Sequence, residues 1–127
     1  MLALARALTI VSLASVIACL QAQDAPPASL AIDDGRASVR GAVRDNVKRC
    51  QMDGPCYLTL AADSGNVRVY YNHGEDPPCR NERSTSTGLA VRVGDSIEAR
   101  GLYSFVDRTH TIDVCCPDCT LTVIERP

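Results

Sequence analysis

The chain has 127 residues, a formal net charge of −2 and seven cysteines, and it contains no tryptophan and one phenylalanine. This length allows one domain at most, and the weak negative charge argues against nucleic-acid binding, which normally needs a clear cationic excess. Few aromatic residues among many Val, Leu, Ile and Ala side chains favour a small β-rich core over a pocket for a large cofactor. We therefore expect one small β domain without a cofactor.

The first 18 residues have the pattern of an export signal. Arg6 provides a short positive region, and residues 7–18 are apolar apart from one threonine and two serines. The segment is too short for a comfortable transmembrane helix, which needs about 20 apolar residues. We therefore expect residues 1–18 to be a signal peptide that is removed from the mature protein.

The export signal ends in Val16-Ile17-Ala18-Cys19, which resembles the bacterial lipobox. The resemblance implies that Cys19 is acylated and becomes the first residue of a lipid-anchored, periplasm-facing envelope protein. In enteric lipoproteins, which this segment resembles, an aspartate after the cysteine argues for inner-membrane retention, so Leu20 at this position implies the outer membrane. Signal cleavage without acylation would instead give a soluble periplasmic or secreted protein. Residues 19–36 are rich in Ala, Pro, Gln and Asp without apolar periodicity, which predicts a flexible tether.

From residue 37 onward the apolar residues alternate with a period of two, which is typical of half-buried strands. In the first strand this alternation places Val39, Val43 and Val47 on the buried face and Asn46 on the exposed face. The alternation and the turn residues predict five strands and a last extended piece, at Ala37–Lys48, Tyr57–Ala62, Val67–Tyr71, Ser96–Phe105, His110–Cys115 and Thr120–Arg126. The polar segment Asn72–Gly88, which contains two adjacent prolines, is predicted to be a loop.

Residues 91–101, Val-Arg-Val-Gly-Asp-Ser-Ile-Glu-Ala-Arg-Gly, resemble the fourth strand of the OB-fold, which often begins with a Val-x-x-Gly-Asp turn. The likeness extends over residues 37–126 in the strand spacing and in the long gap between the third and fourth strands. It implies that residues 37–127 form an all-β, five-stranded Greek-key barrel whose third and fifth strands are parallel. OB-folds bind oligonucleotides, oligosaccharides, proteins and metals, so the resemblance leaves the ligand open.

Six cysteines remain once Cys19 is acylated or removed, and an even number in an exported chain predicts three disulfides. These cysteines are Cys50, Cys56, Cys79, Cys115, Cys116 and Cys119. The OB-fold resemblance implies that all six lie at one end of the barrel. The alternative is a metal or redox site, because Cys116 and Cys119 have the C-x-x-C spacing that holds a tetrahedral ion, with Cys79 and His73 as further ligands. We favour disulfides and no metal.

The outer side of the second and third predicted strands is the candidate ligand face. Alternation places five residues there, namely Tyr57, Thr59, Arg68, Tyr70 and Asn72. The resemblance to OB-folds implies that two exposed tyrosines beside an arginine stack on a base or a sugar ring. Packing of the same tyrosines across the strands is the alternative interpretation.

The sequence contains no complete catalytic constellation. His110 and Asp113 lie three residues apart on a predicted strand, which places them on opposite faces, and no nucleophile elbow or phosphate-binding glycine motif is found. We therefore expect no catalytic activity and predict a lipid-anchored envelope module that binds a protein or a glycan. The alternative function is a thiol-based metal-binding or redox protein of the envelope, and nucleic-acid binding is disfavoured.

Overall fold

The computed structural model describes residues 25–74 and 78–127, so the predicted export signal and the lipidation site at Cys19 lie outside the described residues. The described chain forms eight strands and one helix: β1 (Ser29–Asp33), β2 (Arg36–Ala42), β3 (Asp45–Lys48), β4 (Cys56–Ala62), β5 (Gly65–Asn72), α1 (Glu82–Ala90), β6 (Ser96–Val106), β7 (Thr109–Asp113) and β8 (Thr120–Glu125). This composition confirms the all-β class. Among the described residues, no helix is long and apolar enough to cross a membrane.

All eight strands belong to one sheet, in the order β1-β2-β6-β7-β5-β4-β3, with β8 paired to β6. The predicted strands after the first correspond to β4 through β8, each within two residues at either end. Strands β5 and β7 pair in parallel, which confirms the expected orientation of the predicted third and fifth strands. The sheet is not closed and has eight strands, so the prediction of a five-stranded barrel is wrong.

A bend at Val43 and Arg44 explains part of this difference, because it divides the predicted first strand into β2 and β3. The Val43 amide donates to the Asp95 carbonyl and the Arg44 amide donates to the Thr59 carbonyl, each at 2.8 Å. The chain therefore leaves β6, the partner of β2, and joins β4, the partner of β3. These long-range hydrogen bonds have no local sequence signal.

The same bend shifts the alternation of buried side chains by one residue. Val39 and Val43 are buried as expected, at 1% and 2% exposed. Beyond the bend, Asn46 pairs with the fully buried Leu58, while Val47 pairs with Tyr57 on the outer side of β4. The expectation that Val47 is buried and Asn46 exposed is therefore wrong, because two residues lie outside the ladder between β2 and β3.

Residues 29–36, which the sequence assigned to the flexible tether, form β1, a two-residue turn and the first residue of β2. Asp34 and Gly35 both have positive φ, at 43° and 78°, as a tight hairpin turn requires. Asp-Gly is a common dipeptide in such turns, so this hairpin did have a sequence signal. Ala28 also bridges Ala62, so the folded domain begins before the expected boundary at residue 37.

Helix α1 occupies Glu82–Ala90, where the sequence predicted a loop over 72–88. Asn81 is its N-cap, and the Asn81 side chain accepts a hydrogen bond from the Ser84 amide at 3.0 Å. The segment is rich in serine and threonine, which are weak helix formers. The helix forms because its Ser84 and Gly88 face is buried against the sheet, where tertiary packing outweighs local propensity.

Candidate functional site

The six cysteines of the described domain are paired in three disulfides, which confirms the predicted disulfide bonding. The pairs are Cys50–Cys56, Cys79–Cys115 and Cys116–Cys119, with Cα–Cα distances of 5.1, 4.8 and 5.1 Å. The strand pairing brings them to one end of the sheet, because the start of β4 lies beside the ends of β5 and β7. Cys79–Cys115 therefore links two separate loops at this end, which we call the cysteine-rich end, and the other two disulfides each close a short segment there.

The alternative metal ligands do not form one site among the described residues: His73 lies in one cluster, Cys116 and Cys119 lie in another, and Cys79 belongs to neither. The ligand atoms of His73, Asp113 and Cys115 lie within 4.8 Å of one another, and those of Cys116, Asp118 and Cys119 form a second such group. Each cysteine in these groups is part of a disulfide, and a metal ligand must be a thiolate. The two clusters can therefore bind a soft metal through sulfur only after reduction.

On the candidate ligand face, Tyr57 and Tyr70 lie directly opposite each other on β4 and β5. Their ring centroids are 5.0 Å apart and the planes are tilted by 41°, a favourable aromatic geometry. The Arg68 guanidinium carbon lies 4.8 Å from the centroid of the Tyr57 ring, and Arg68 donates to the Tyr70 hydroxyl at 3.4 Å. The structure therefore brings these three predicted site residues together.

This three-residue group is accessible to a ligand. Arg68 is exposed and both tyrosines are half-buried, so part of each tyrosine remains accessible to solvent. The hydrogen bond to the Tyr70 hydroxyl raises the pKa of Arg68 above its ordinary value, which keeps the guanidinium charged. A planar cation held over an aromatic ring can donate hydrogen bonds to a ligand whose apolar side packs on the neighbouring ring.

The other two predicted residues of the face have different surroundings. Thr59 is half-buried and lies across from Arg68, so it borders the group. Both polar ends of the Asn72 side chain are used within the protein, since Oδ1 accepts from the Gly74 amide at 2.8 Å and Nδ2 donates to Thr85 at 3.4 Å. The face therefore consists of Tyr57, Thr59, Arg68 and Tyr70, with Asn72 turned toward α1.

His73 and Asp113 extend the face, although the sequence suggested only a metal-ligand role for His73 and none for Asp113. The His73 ring is nearly parallel to Tyr70, with centroids 6.4 Å apart, and His73 Nε2 lies 2.7 Å from Asp113 Oδ2. Asp113 pairs with Tyr70 across the parallel β5–β7 ladder. Sequence alternation places Asp113 beside Tyr70 only when the pairing of β5 with β7 is known.

The expected separation of His110 and Asp113 is observed. His110 lies on the inner side of β7 and is 7% exposed, whereas Asp113 is half-buried on the outer side beside His73. The two side chains therefore cannot act as one acid–base pair.

A second concave surface lies on the outer side of β2, β6 and β8. It is a groove of about 680 Å³ whose lining includes Ser38, Glu98, Arg100, Asp118, Thr120 and Thr122. At its edge Arg36 and Asp118 form an exposed ion pair at 3.0 Å, and the hydrogen bond from Arg36 lowers the pKa of Asp118. Arg100 and Glu98 form a second ion pair in the groove, at 3.2 Å, so most of its charged side chains are already paired within the protein.

No protein-family model matches the chain, and no curated protein matches its sequence. The lipid anchor implied by residues 16–19 and the OB-fold relationship implied by residues 91–101 therefore stay predictions. A function has to be argued from the side chains that the fold brings together.

Proposed function

We propose that this protein is a lipid-anchored module of the bacterial cell envelope that binds or assembles with another envelope component. The observation that carries this proposal is the pairing of all six cysteines of the described domain. Disulfides persist in oxidising compartments such as the periplasm and are rare in the cytosol. Paired cysteines and an N-terminal export pattern are therefore consistent with each other.

The proposed anchor is an acyl group on Cys19. Its test is intact-mass analysis of the protein extracted from membranes of the native host, together with thiol labelling under denaturing conditions. We expect a mature chain that begins at acylated Cys19 and has no free thiol, and a Cys19→Ala variant that leaves the membrane fraction. An uncut cytosolic chain with all seven cysteines as free thiols would overturn the proposal.

The proposed ligand is an envelope glycan, bound on the face formed by Tyr57, Arg68 and Tyr70. The strand order and the parallel β5–β7 pair support a relationship to OB-folds, which use the corresponding outer face, although the sheet here is open. A sugar ring can pack its C–H side on a tyrosine while the guanidinium donates to its hydroxyls. The negative net charge argues against a polyanionic ligand.

Co-sedimentation with purified, insoluble cell-wall glycan tests this ligand. We expect Tyr57→Ala and Arg68→Ala to weaken binding by about tenfold or more, the effect of losing about 1.4 kcal/mol of contact energy. Arg40→Ala is the matched control, because Arg40 is an exposed arginine on β2 outside the face. Equal binding by all three variants would exclude the face, and the absence of binding by the wild type would point to an envelope protein as partner.

A second candidate function is metal binding or redox chemistry through sulfur, and the two ligand clusters at the cysteine-rich end favour it. This function requires that some of the disulfides are reduced in the native host. Metal analysis of protein purified without added reductant tests it. A stoichiometric metal with several free thiols would support this candidate, whereas six oxidised cysteines without metal would exclude it.

A further inference from the structure

The imidazole of His110 is held between two hydroxyl groups that come from other parts of the chain. Its Nε2 lies 3.1 Å from Ser64 Oγ, and its Nδ1 lies 2.9 Å from the Tyr103 hydroxyl. Ser64 is in the turn between β4 and β5, Tyr103 is on β6 and His110 is on β7. A hydroxyl, an imidazole and a third polar group in this order form the arrangement that activates nucleophilic serines.

The sheet pairing explains why these residues meet. Because β5 and β7 are parallel, the turn that precedes β5 lies beside the start of β7, where His110 pairs with Val67. Ser64 is exposed in this turn, while the imidazole is buried and fixed in orientation. Gly65 follows with φ of +129°, and a Cβ there would lie 4.0 Å from His110 Nε2, so no side chain of residue 65 covers this edge of the ring.

We propose that Ser64 is a nucleophile activated by His110, and that it accepts an acyl group from an activated ester with an apolar or aromatic part. This activity is separate from the proposed binding role and does not depend on it. No local motif marks the group, because Ser64 lies 46 residues and Tyr103 lies 7 residues before His110 in the sequence.

The chemistry requires the His110 tautomer with its proton on Nδ1. In that tautomer Nδ1–H donates to the Tyr103 oxygen, and Nε2 accepts from the Ser64 hydroxyl. As Oγ attacks the ester carbonyl carbon, Nε2 takes the hydroxyl proton and then gives it to the departing alcohol as the ester C–O bond breaks. The products are acyl-Ser64 and the free alcohol, and water can later release the acid by the same proton transfers.

Tyr103 is a positioning residue in this scheme. Nε2 also lies 3.3 Å from the Ser64 carbonyl oxygen, and a proton on Nε2 would donate there and make the contact purely structural. The two arrangements therefore differ in the tautomer of His110, which ¹⁵N chemical shifts distinguish. We expect a mainly Nδ1–H imidazole in the wild type and a larger Nε2–H population in Tyr103→Phe.

The expected substrate class follows from Phe105, which is 57% exposed and pairs with His110 across β6 and β7. The centroid of its ring lies 4.9 Å from that of the imidazole, so it offers an apolar surface next to the reacting atoms. An ester with an aromatic or short apolar group can pack there. A highly charged ester finds no such contact at this ring.

The test uses p-nitrophenyl acetate with the folded, disulfide-bonded protein, followed by nitrophenolate release and by peptide mapping of the acetyl group. We expect acetylation at Ser64 and a loss of about 100-fold or more in its rate in Ser64→Ala and His110→Gln, the range of general-base assistance. Ser104→Ala, a change at another exposed serine, is the matched control. Ser64 lies in an exposed turn, so its variant is expected to fold, and circular dichroism checks this.

Two results would overturn the proposal. One is an acetylation pattern confined to Lys48, the one lysine of the sequence, or spread over the surface, with Ser64→Ala reacting as fast as the wild type. The other is a His110 imidazole with its proton on Nε2 in the wild type, since such a ring cannot take the proton of the Ser64 hydroxyl.

Discussion

Replacing Gly88 in α1 by alanine is expected to destabilise the domain, although alanine is the better helix former. Gly88 is buried against the sheet, and a Cβ at this position would lie within 2.6 Å of three carbons of the Tyr71 ring. Tyr71 has little room to move, because it is fully buried and its hydroxyl donates to Asn46 Oδ1 at 2.6 Å. Asn46 in turn donates to the Gly88 carbonyl at 2.9 Å, which ties the helix to the same network.

The magnitude follows from two opposing effects. Alanine in place of glycine favours a helix by about 1 kcal/mol. Overpacking a dense core costs about 1 to 3 kcal/mol, and losing the Tyr71 hydrogen bond to Asn46 adds about 1 kcal/mol. The expected net loss for Gly88→Ala is therefore about 1 to 3 kcal/mol, which lowers the melting temperature of a domain of this size by about 4 to 8 °C for each kcal/mol.

Urea unfolding followed by far-ultraviolet circular dichroism, with the disulfides intact, measures this loss. Ser86→Ala is the control, because Ser86 is exposed on the same helix and its replacement is expected to be neutral or to stabilise by about 0.5 kcal/mol. A Gly88→Ala variant as stable as Ser86→Ala would refute the reasoning, since it would mean that Tyr71 can move away without cost.

Two further predictions concern the disulfides and the pH dependence of stability. The Cys79–Cys115 bond has a sequence separation of 36 and the Cys116–Cys119 bond a separation of 3, so loop-closure entropy predicts losses of about 4 and about 2 kcal/mol when each pair is changed to serine. Urea unfolding of the two double variants compares them, and equal losses would contradict the entropic account. Burial raises the pKa of Tyr71 to about 12, whereas Tyr71 in the unfolded chain ionises near the ordinary value of 10.0. The contribution of the neutral Tyr71 hydroxyl to the free energy of unfolding is therefore complete below pH 10 and is lost as the pH rises toward 12. The stability advantage of the wild type over Tyr71→Phe should therefore shrink between about pH 10 and about pH 12 in urea unfolding, and a constant difference would contradict this.

The strands that local alternation predicts well are those with both neighbours in regular pairing. In β4 and β5, residues such as Leu58 and Val67 are fully buried and alternate with half-buried or exposed ones, so the period of two gives the strand and its inner face. The first strand could not be predicted in the same way, because its bend depends on the carbonyls of Thr59 and Asp95. The helix was missed for a related reason, since α1 forms through burial of Ser84 and Gly88 and not through propensity.

The candidate ligand face shows the same division between local and long-range information. Tyr57, Arg68 and Tyr70 share a hairpin, so their proximity follows from strand alternation and a short turn. The contact between His73 and Asp113 needs the β5–β7 pairing, which joins segments about 40 residues apart. Disulfide connectivity is another long-range property, because six cysteines allow about 15 pairings and composition cannot choose among them.

The cysteine-rich end and α1 are connected to β5, the strand that carries Arg68 and Tyr70 of the candidate ligand face. Tyr70 faces outward and Tyr71, its neighbour in β5, is held inside by Asn46. The Asn81 side chain, which caps α1, donates to the carbonyls of Cys116 and Cys119 at 2.9 and 2.8 Å, so the disulfide loop and the helix are connected. Because α1 packs on β5, this connection fixes the strand that presents Tyr70. Loss of the Cys116–Cys119 bond should therefore weaken the proposed glycan binding, measured by co-sedimentation, on a face that contains neither cysteine.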